Sequence, residues 1–183
     1  MAEPLGLESK AVRVVPYDDR WPALFDDEAK RIADAVSAGG LPELALEHVG
    51  STAVPGLAAK PVLDIAAGYR AGISPSNYVA VLESLDYVYR GDCGLPGREF
   101  FRRGDPRSHH LHLVRQHGTH WVRYLRFRDA LRADAAVRDA YAALKHDLAM
   151  RYPWNREAYI FGKTEFVEGV VEADHRGRAQ PER

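Results

Sequence analysis

Two stretches of this sequence carry residue types that could do chemistry. The first runs from Glu47-His48-Val49-Gly50-Ser51-Thr52 to Lys60-Pro61-Val62-Leu63-Asp64-Ile65. Gly50 can take backbone angles closed to other residues. Ser51 and Thr52 suit the start of a short helical turn whose free N–H groups favour an anion such as a phosphate. Asp64 interrupts an apolar run, and a carboxylate on a half-buried strand is costly unless it is paired, hydrogen-bonded or bound to a metal. The second stretch is His109-His110-Leu111-His112-Leu113-Val114. Its alternation predicts a strand with His110 and His112 on one face and Leu111 and Leu113 on the other. Two imidazoles on one face can ligate a metal, hydrogen-bond a phosphate or handle protons near neutral pH. A solvated polar face is the plainer alternative.

Other residues are weaker candidates. Glu47 and His48 alternate across their strand, so one of them at most faces the site, and Glu47 is preferred. Gly162-Lys163-Thr164 imitates the end of a Walker-type phosphate loop, but the glycine needed five positions earlier is Glu157 and the local pattern is helical. Lys163 keeps two readings, an ammonium that reaches a bound phosphate or a solvated helix charge. Arg98 and Arg102 line a site or face solvent. Cys93, the only cysteine, sits in the loop Gly91-Asp92-Cys93-Gly94-Leu95-Pro96-Gly97 and is expected to be a passive thiol.

These side chains need elements to position them. Two short apolar runs, Leu44 to Val49 and Val62 to Ala67, read as strands flanking the Gly-Ser turn. Ala11 to Val15 reads as a further strand, after a loose lead-in from Met1 to Lys10. Trp21, Leu24, Phe25, Ala29, Ile32, Ala35 and Val36 recur on one helical face, capped by Asp18 or Asp19 and stopped at Gly39-Gly40. Ser74-Pro75 opens another helix. Tyr87 to Arg90 and Arg98 to Arg103 are strand candidates. From Thr119 to Val171 the periodicity predicts three helices, the last two separated by Tyr152-Pro153-Trp154-Asn155 with Asn155 as a cap. The expected organisation is one domain over residues 1–173 and a polar, mobile tail over 174–183.

Composition narrows the function classes. The 183 residues are 46% hydrophobic, enough for one proper core. Lys and Arg number 25 against 26 Asp and Glu, so net charge supports no nucleic-acid partner. No run reaches the roughly 18 to 20 apolar residues of a membrane span. With one cysteine and no signal-like start, a cytoplasmic protein is expected.

A resemblance adds to this reading. Gly50-Ser51 closing one strand, with Asp64 on the next, resembles the opening motif of the nucleotidyltransferase superfamily. The fuller string His48-Val49-Gly50-Ser51-Thr52-Ala53-Val54-Pro55-Gly56-Leu57 with Lys60-Pro61-Val62-Leu63-Asp64-Ile65 resembles the GrpB family within it. The His109-His110-Leu111-His112 strand and the terminal helix bearing Tyr159, Gly162, Lys163 and Phe166 are similar to GrpB segments too. The resemblance implies an α/β (α+β) nucleotidyltransferase-like fold, a mixed, largely antiparallel sheet with flanking helices and a C-terminal helical set. It implies phosphate or nucleotide binding by Gly50, Ser51, Thr52, Lys60 and Lys163, and catalysis by Asp64, His110 and His112. A divalent metal would be held by Asp64, His110, His112 and Glu47. Mg²⁺ or Mn²⁺ suits a transferase, whereas imidazole ligands suit Zn²⁺ or Ni²⁺.

The chain departs from the superfamily where Asp64 should be followed, two residues on, by a second acid, because that position is Ala66. Three readings therefore stand. The first is a nucleotidyltransferase that uses a nucleoside triphosphate and a small acceptor. The second is a nucleotide- or phosphate-binding module without the chemistry. The third is a metal-dependent hydrolase or lyase built on the His-x-His strand. The partner in each is a nucleotide or other phosphorylated small molecule, and the oligomeric state is open.

Overall fold

The computed structural model describes residues 4–8 and 10–179. Five strands form one sheet: β1 (Ala45–Val49), β2 (Leu63–Tyr69), β3 (Val88–Tyr89), β4 (Arg98–Arg103) and β5 (His109–Arg115). Their spatial order is β1-β2-β5-β4-β3. Strands β2 and β5 are parallel and the other neighbours antiparallel, so the sheet is mixed and largely antiparallel, as predicted.

The period-2 pattern gives the sheet two different faces. On one, Ile65, Ala67, Phe101, Leu111 and Leu113 bury against Ile32 and Val36 of α1 (Trp21–Ala38) and against Tyr78 and Leu82, which flank the start of α2 (Val79–Glu83). Helix α1 presents the apolar stripe its sequence predicts. Its start differs, since Asp18 turns its carboxylate onto the backbone N–H and guanidinium of Arg20 instead of capping the helix.

On the opposite face, Val49, Ala66 and Val114 pack beneath Trp121 of α3 (Thr119–Ala133). Gly68 lies under the same ring, where a Cβ would stand 2.7 Å from the indole. Helix α3 covers only part of this face. Beyond it, α3 packs with α4 (Ala135–Arg151) and α6 (Thr164–Ala179) through Phe127, Leu131, Tyr141, Phe166 and Val167, around Val54 and Leu57 of the β1–β2 connection. Each such side chain contributes about 1.5–3 kcal/mol when fully buried, which holds the helical set against the sheet.

The structure corrects four expectations at the chain's ends. The segment Ala11 to Val15 forms no strand: Val15 makes a single bridge to Ala59, and the Val12 N–H turns to the Pro153 carbonyl. The lead-in is not loose where it is described, because Leu7 is buried and Gly6 and Leu7 donate to Pro61 and Arg107 carbonyls; residues 1–3 and 9 lie outside the described residues. The third C-terminal helix is two, α5 (Arg156–Phe161) and α6, parted at Gly162-Lys163. Asn155 does cap α5, accepting the Ala158 N–H at 3.1 Å. Helix α6 runs through Ala179, so the expected tail is helical over 174–179, and 180–183 lie outside the described residues. No described helix is long and apolar enough to cross a membrane.

The contact between Gly68 and Trp121 can be tested by overpacking it. Gly68→Ala is expected to cost about 1–3 kcal/mol in equilibrium denaturant unfolding. An unchanged midpoint would mean that Trp121 is not seated on β2.

Candidate ligand site

The register of β2 and β5 sets the centre of the site. Asp64 lies opposite His110, and Ala66 opposite His112, so Asp64 and both imidazoles share the face that α3 leaves partly open. The Nδ1 of His110 is 2.9 Å from Asp64 Oδ1, and the Nε2 of His112 is 3.5 Å from the same oxygen. Burial alone would raise the Asp64 pKa, but the N–H groups of His110 and His112 outweigh it and hold the carboxyl well below its usual range. The two rings have opposite tautomers. Arg98 Nη1, which can only donate, stands 3.5 Å from His112 Nδ1, so that nitrogen carries the lone pair and Nε2–H points to Asp64. His110 donates through Nδ1 and keeps its lone pair on Nε2, which is buried without a hydrogen-bond partner among the described residues. Burial outweighs the attraction of Asp64 and brings the His110 pKa down to about 4, so the ring is neutral at pH 7.

The Gly50-Ser51 turn abuts this group. Gly50 has φ +69°, and a Cβ there would stand 2.7 Å from Asp64 Oδ2, so both its conformation and its neighbour demand glycine. Ser51–Ala53 form one short 3₁₀ turn, close to the helical turn the sequence predicts.

A cavity of about 640 Å³ opens from here between the sheet and the C-terminal helices. That size is ordinary for a small-molecule site. Its lining includes Gly50, Ser51, Thr52, Lys60, Asp64, His110, His112 and Lys163, so all the predicted phosphate, catalytic and metal residues except Glu47 meet in one place. Sequence reasoning missed much of the far wall: Arg123, Phe127, Tyr141, Arg156 and Tyr159 also line it. One signal was available, because Tyr159 precedes Lys163 by four residues, one helical turn.

The charges in the cavity are unevenly matched. Lys60, Arg98, Arg123, Arg156 and Lys163 face it against Asp64 and Glu168. Glu168 is held by Arg123 through two contacts of 2.6 Å, and Asp64 is taken by the imidazoles. The ammonium groups of Lys60 and Lys163 lie over the ring of Tyr159, 5.1 and 4.6 Å from its centroid. Neither has an ion-pair partner among the described residues. Burial, then the charge of Lys163, pushes Lys60 well below the usual lysine value. Burial and Arg156 bring Lys163 down to about 8 despite the pull of Asp64.

Glu47 is corrected as a ligand. It shares the sheet face of Asp64, as preferred, but its carboxylate pairs with Arg128 of α3 at 2.6 Å and is not part of the cavity wall. His48 points to the other face, stacked on Phe25 and 3.0 Å from the Thr52 hydroxyl. The remaining donors do not fit a metal held by Asp64, His110 and His112 together. Both rings aim N–H groups at the carboxylate, the His112 lone pair faces Arg98, and the His110 lone pair is on the nitrogen turned from Asp64. Among the described residues no three His, Cys, Asp or Glu side chains gather as a ligand set.

Fold and site together define a mixed α/β protein with a cationic, ligand-sized cavity on one face of its sheet. The chain belongs to the GrpB family: the family model described as GrpB protein matches residues 11–173. Among curated relatives, the UPF0157 protein PA4798 of Pseudomonas aeruginosa is 43% identical over 165 residues, covering 87% of this chain and 66% of that one. The UPF0157 protein YqkA of Bacillus subtilis is 33% identical, covering 89% of this chain and 47% of that one. A dephospho-CoA kinase of Mycolicibacterium paratuberculosis is 32% identical over 190 residues, 81% of this chain and 45% of its own length. The chain thus spans only part of each of these three proteins. Among solved structures, the conserved protein GrpB from Enterococcus faecalis superposes with a TM-score of 0.81 at 29% identity, over 92% of this chain and all of that one.

The buried imidazoles make stability depend on acid. Burial brings His48 and His110 to about 4 and His109 to about 3, below the 6.5 of a free histidine. The unfolded chain therefore takes up protons first, and stability present above pH 6.5 is lost as the pH falls toward 4. The slope is expected to approach about 1.4 kcal/mol per pH unit for each imidazole that titrates only on unfolding. Denaturant unfolding between pH 7.5 and 4 measures it, and a flat profile would show that these rings are not buried neutral.

Proposed function

We propose that this chain binds a nucleotide or related phosphorylated small molecule in the cavity, as a phosphate-binding module that lacks the two-acid metal clamp of a nucleotidyltransferase. The observation that carries this reading is the pair Lys60 and Lys163 over Tyr159, two ammonium groups in a partly desolvated wall without a carboxylate to neutralise them. An anion removes that cost, and a phosphate accepts from several donors at once. Further support comes from the Gly50–Thr52 turn beside them, from Arg156, and from Phe100 and Phe127, which offer aromatic surface for a base. The relative named dephospho-CoA kinase is consistent with a phosphate-handling setting.

Nucleotidyl transfer, which the resemblance implies, calls for a second carboxylate beside Asp64. That position is Ala66, fully buried under Trp121, so geometry favours binding over transfer. A metal-dependent hydrolase or lyase is disfavoured by donor atoms that do not converge.

Calorimetry and thermal-shift titrations with nucleoside triphosphates and inorganic phosphate, each with and without Mg²⁺, Mn²⁺ and Zn²⁺, test the reading. Binding without added metal is expected. Lys163→Met should fold and lose roughly tenfold or more in affinity, the worth of one charged hydrogen bond. Because the protonated amine is the binding form, wild-type affinity should fall as pH rises through about 8, where Lys163 gives up its proton. Absence of stabilisation by any phosphate compound would overturn the proposal.

A further inference from the structure

Two ammonium groups over one ring can be relieved in two ways, by an anion between them or by the loss of one proton. A ligand that carries both a phosphate and a carbonyl group uses both. We propose that Lys60 is a nucleophilic amine that captures a phosphorylated aldehyde or ketone as an imine, with the ligand's phosphate on Lys163 and Arg156; the phosphate half of this assignment rests on the binding reading above.

The cations around Lys60 support it. Burial, then Lys163 from the turn between α5 and α6, Arg156 of α5 and Arg107 before β5 disfavour the charged form; Asp64 and the Tyr159 ring favour it, and the balance lies against the charge. Lys60 lines the cavity, so the amine meets a bound molecule. Desolvation and a neighbouring cation are the two conditions that turn lysine into a carbonyl nucleophile at neutral pH. Lys145, which is fully buried, is different: its ammonium donates to the Ala58 carbonyl and does not line the cavity.

The chemistry balances without an oxidant or reductant. The Nζ lone pair forms a bond to the carbonyl carbon and the C=O π pair moves to oxygen, which gains a proton. The carbinolamine then expels that oxygen as water, nitrogen gives up its remaining protons, and a C=N bond stands where C=O stood. Amine and carbonyl are consumed, and imine and water are formed.

Pyridoxal 5′-phosphate is the probe, with pyridoxal as its phosphate-free control. Borohydride reduces the C=N bond to a stable secondary amine, which peptide mass spectrometry assigns among the five lysines, Lys10 and Lys30 being exposed references. A lowered pKa raises the unprotonated fraction, so labelling at Lys60 should outpace labelling at Lys30 severalfold. Inorganic phosphate should suppress it, pyridoxal should label Lys60 less, and Lys60→Arg should remove the adduct; phosphate protection in the wild type needs no variant to fold. If phosphate stabilises the protein but labelling shows no preference for Lys60, the amine assignment falls and phosphate binding stands. If the adduct forms at Lys163 instead, the assignment is equally overturned. If Lys60 reacts equally with pyridoxal and is not protected by phosphate, the ligand class is wrong and the binding reading fails with it.

Discussion

A carboxylate in the middle of a sheet face is the constraint from which the rest of this site follows. Asp64 stands on a central strand where an unpaired charge would cost several kcal/mol. Two imidazole N–H groups from the adjacent strand meet that cost. Each consequence is local. Gly50 is required because Asp64 Oδ2 occupies the space where a Cβ would go. His112 must keep its lone pair on Nδ1, which places it toward Arg98 and within 3.4 Å of the Tyr124 hydroxyl. Arg98 in turn donates to the Asp92 carbonyl at 2.8 Å and pins the loop that holds Cys93, Gly94 and Leu95 on the cavity wall. A single half-buried charge thus organises the groups around it, Gly50 by steric contact and the others through hydrogen bonds that each depend on the next.

The acids of the cavity are consumed internally while several of its cations are not, and that asymmetry separates a ligand site from a structural ion network. Glu28 shows the contrast. It is buried under the other face of the sheet, yet it meets Tyr87, Arg103 and Arg31 and leaves nothing for a ligand to satisfy. Lys145 is likewise buried and brought to about 7 by desolvation and then by Lys163, but it spends its ammonium on a carbonyl and on the ring of Tyr141. Lys60 and Lys163 have the ring of Tyr159 and no ion-pair partner among the described residues, which is a poor end state for partly desolvated charge and a good starting state for binding an anion.

Much of the frame was legible because it depends on local periodicity. The alternation in His109 to Val114 placed both imidazoles on one face, and the stripe from Trp21 to Val36 marked α1, because neighbours three, four or two residues apart decide those faces. The Gly50 to Asp64 string carried the resemblance for the same reason, since a turn and its two strands are contiguous. What sequence could not supply was pairing at a distance. The parallel contact of β2 with β5 spans a whole hairpin and a helix, and only that register brings His110 opposite Asp64. Glu47 illustrates the limit: its face was inferred correctly, yet Arg128, eighty-one residues away, takes its carboxylate. Ala11 to Val15 had strand composition but found one bridge, because partners, not propensity, make a strand.

The absent second acid is built into the packing and is not a single missing side chain. Position 66 lies opposite Glu47 on β1 and opposite His112 on β5, and it is wholly enclosed beneath Trp121. A carboxylate there would displace the indole or stand desolvated beside the Glu47 carboxylate, with Arg128 already engaged by Glu47, Asp129 and the His48 carbonyl. Helix α3 therefore occupies the half of the sheet face where a second metal ligand would have to work. Seating α3 there fixes Gly68, fills the space above Ala66 and secures Glu47, and it leaves Asp64 as a hydrogen-bond anchor for two histidines. The same helix supplies Arg123 and Phe127 to the cavity wall. Filling the space above Ala66 and lining the cavity are thus one packing arrangement, and the proposal of anion recognition in place of transfer rests on it.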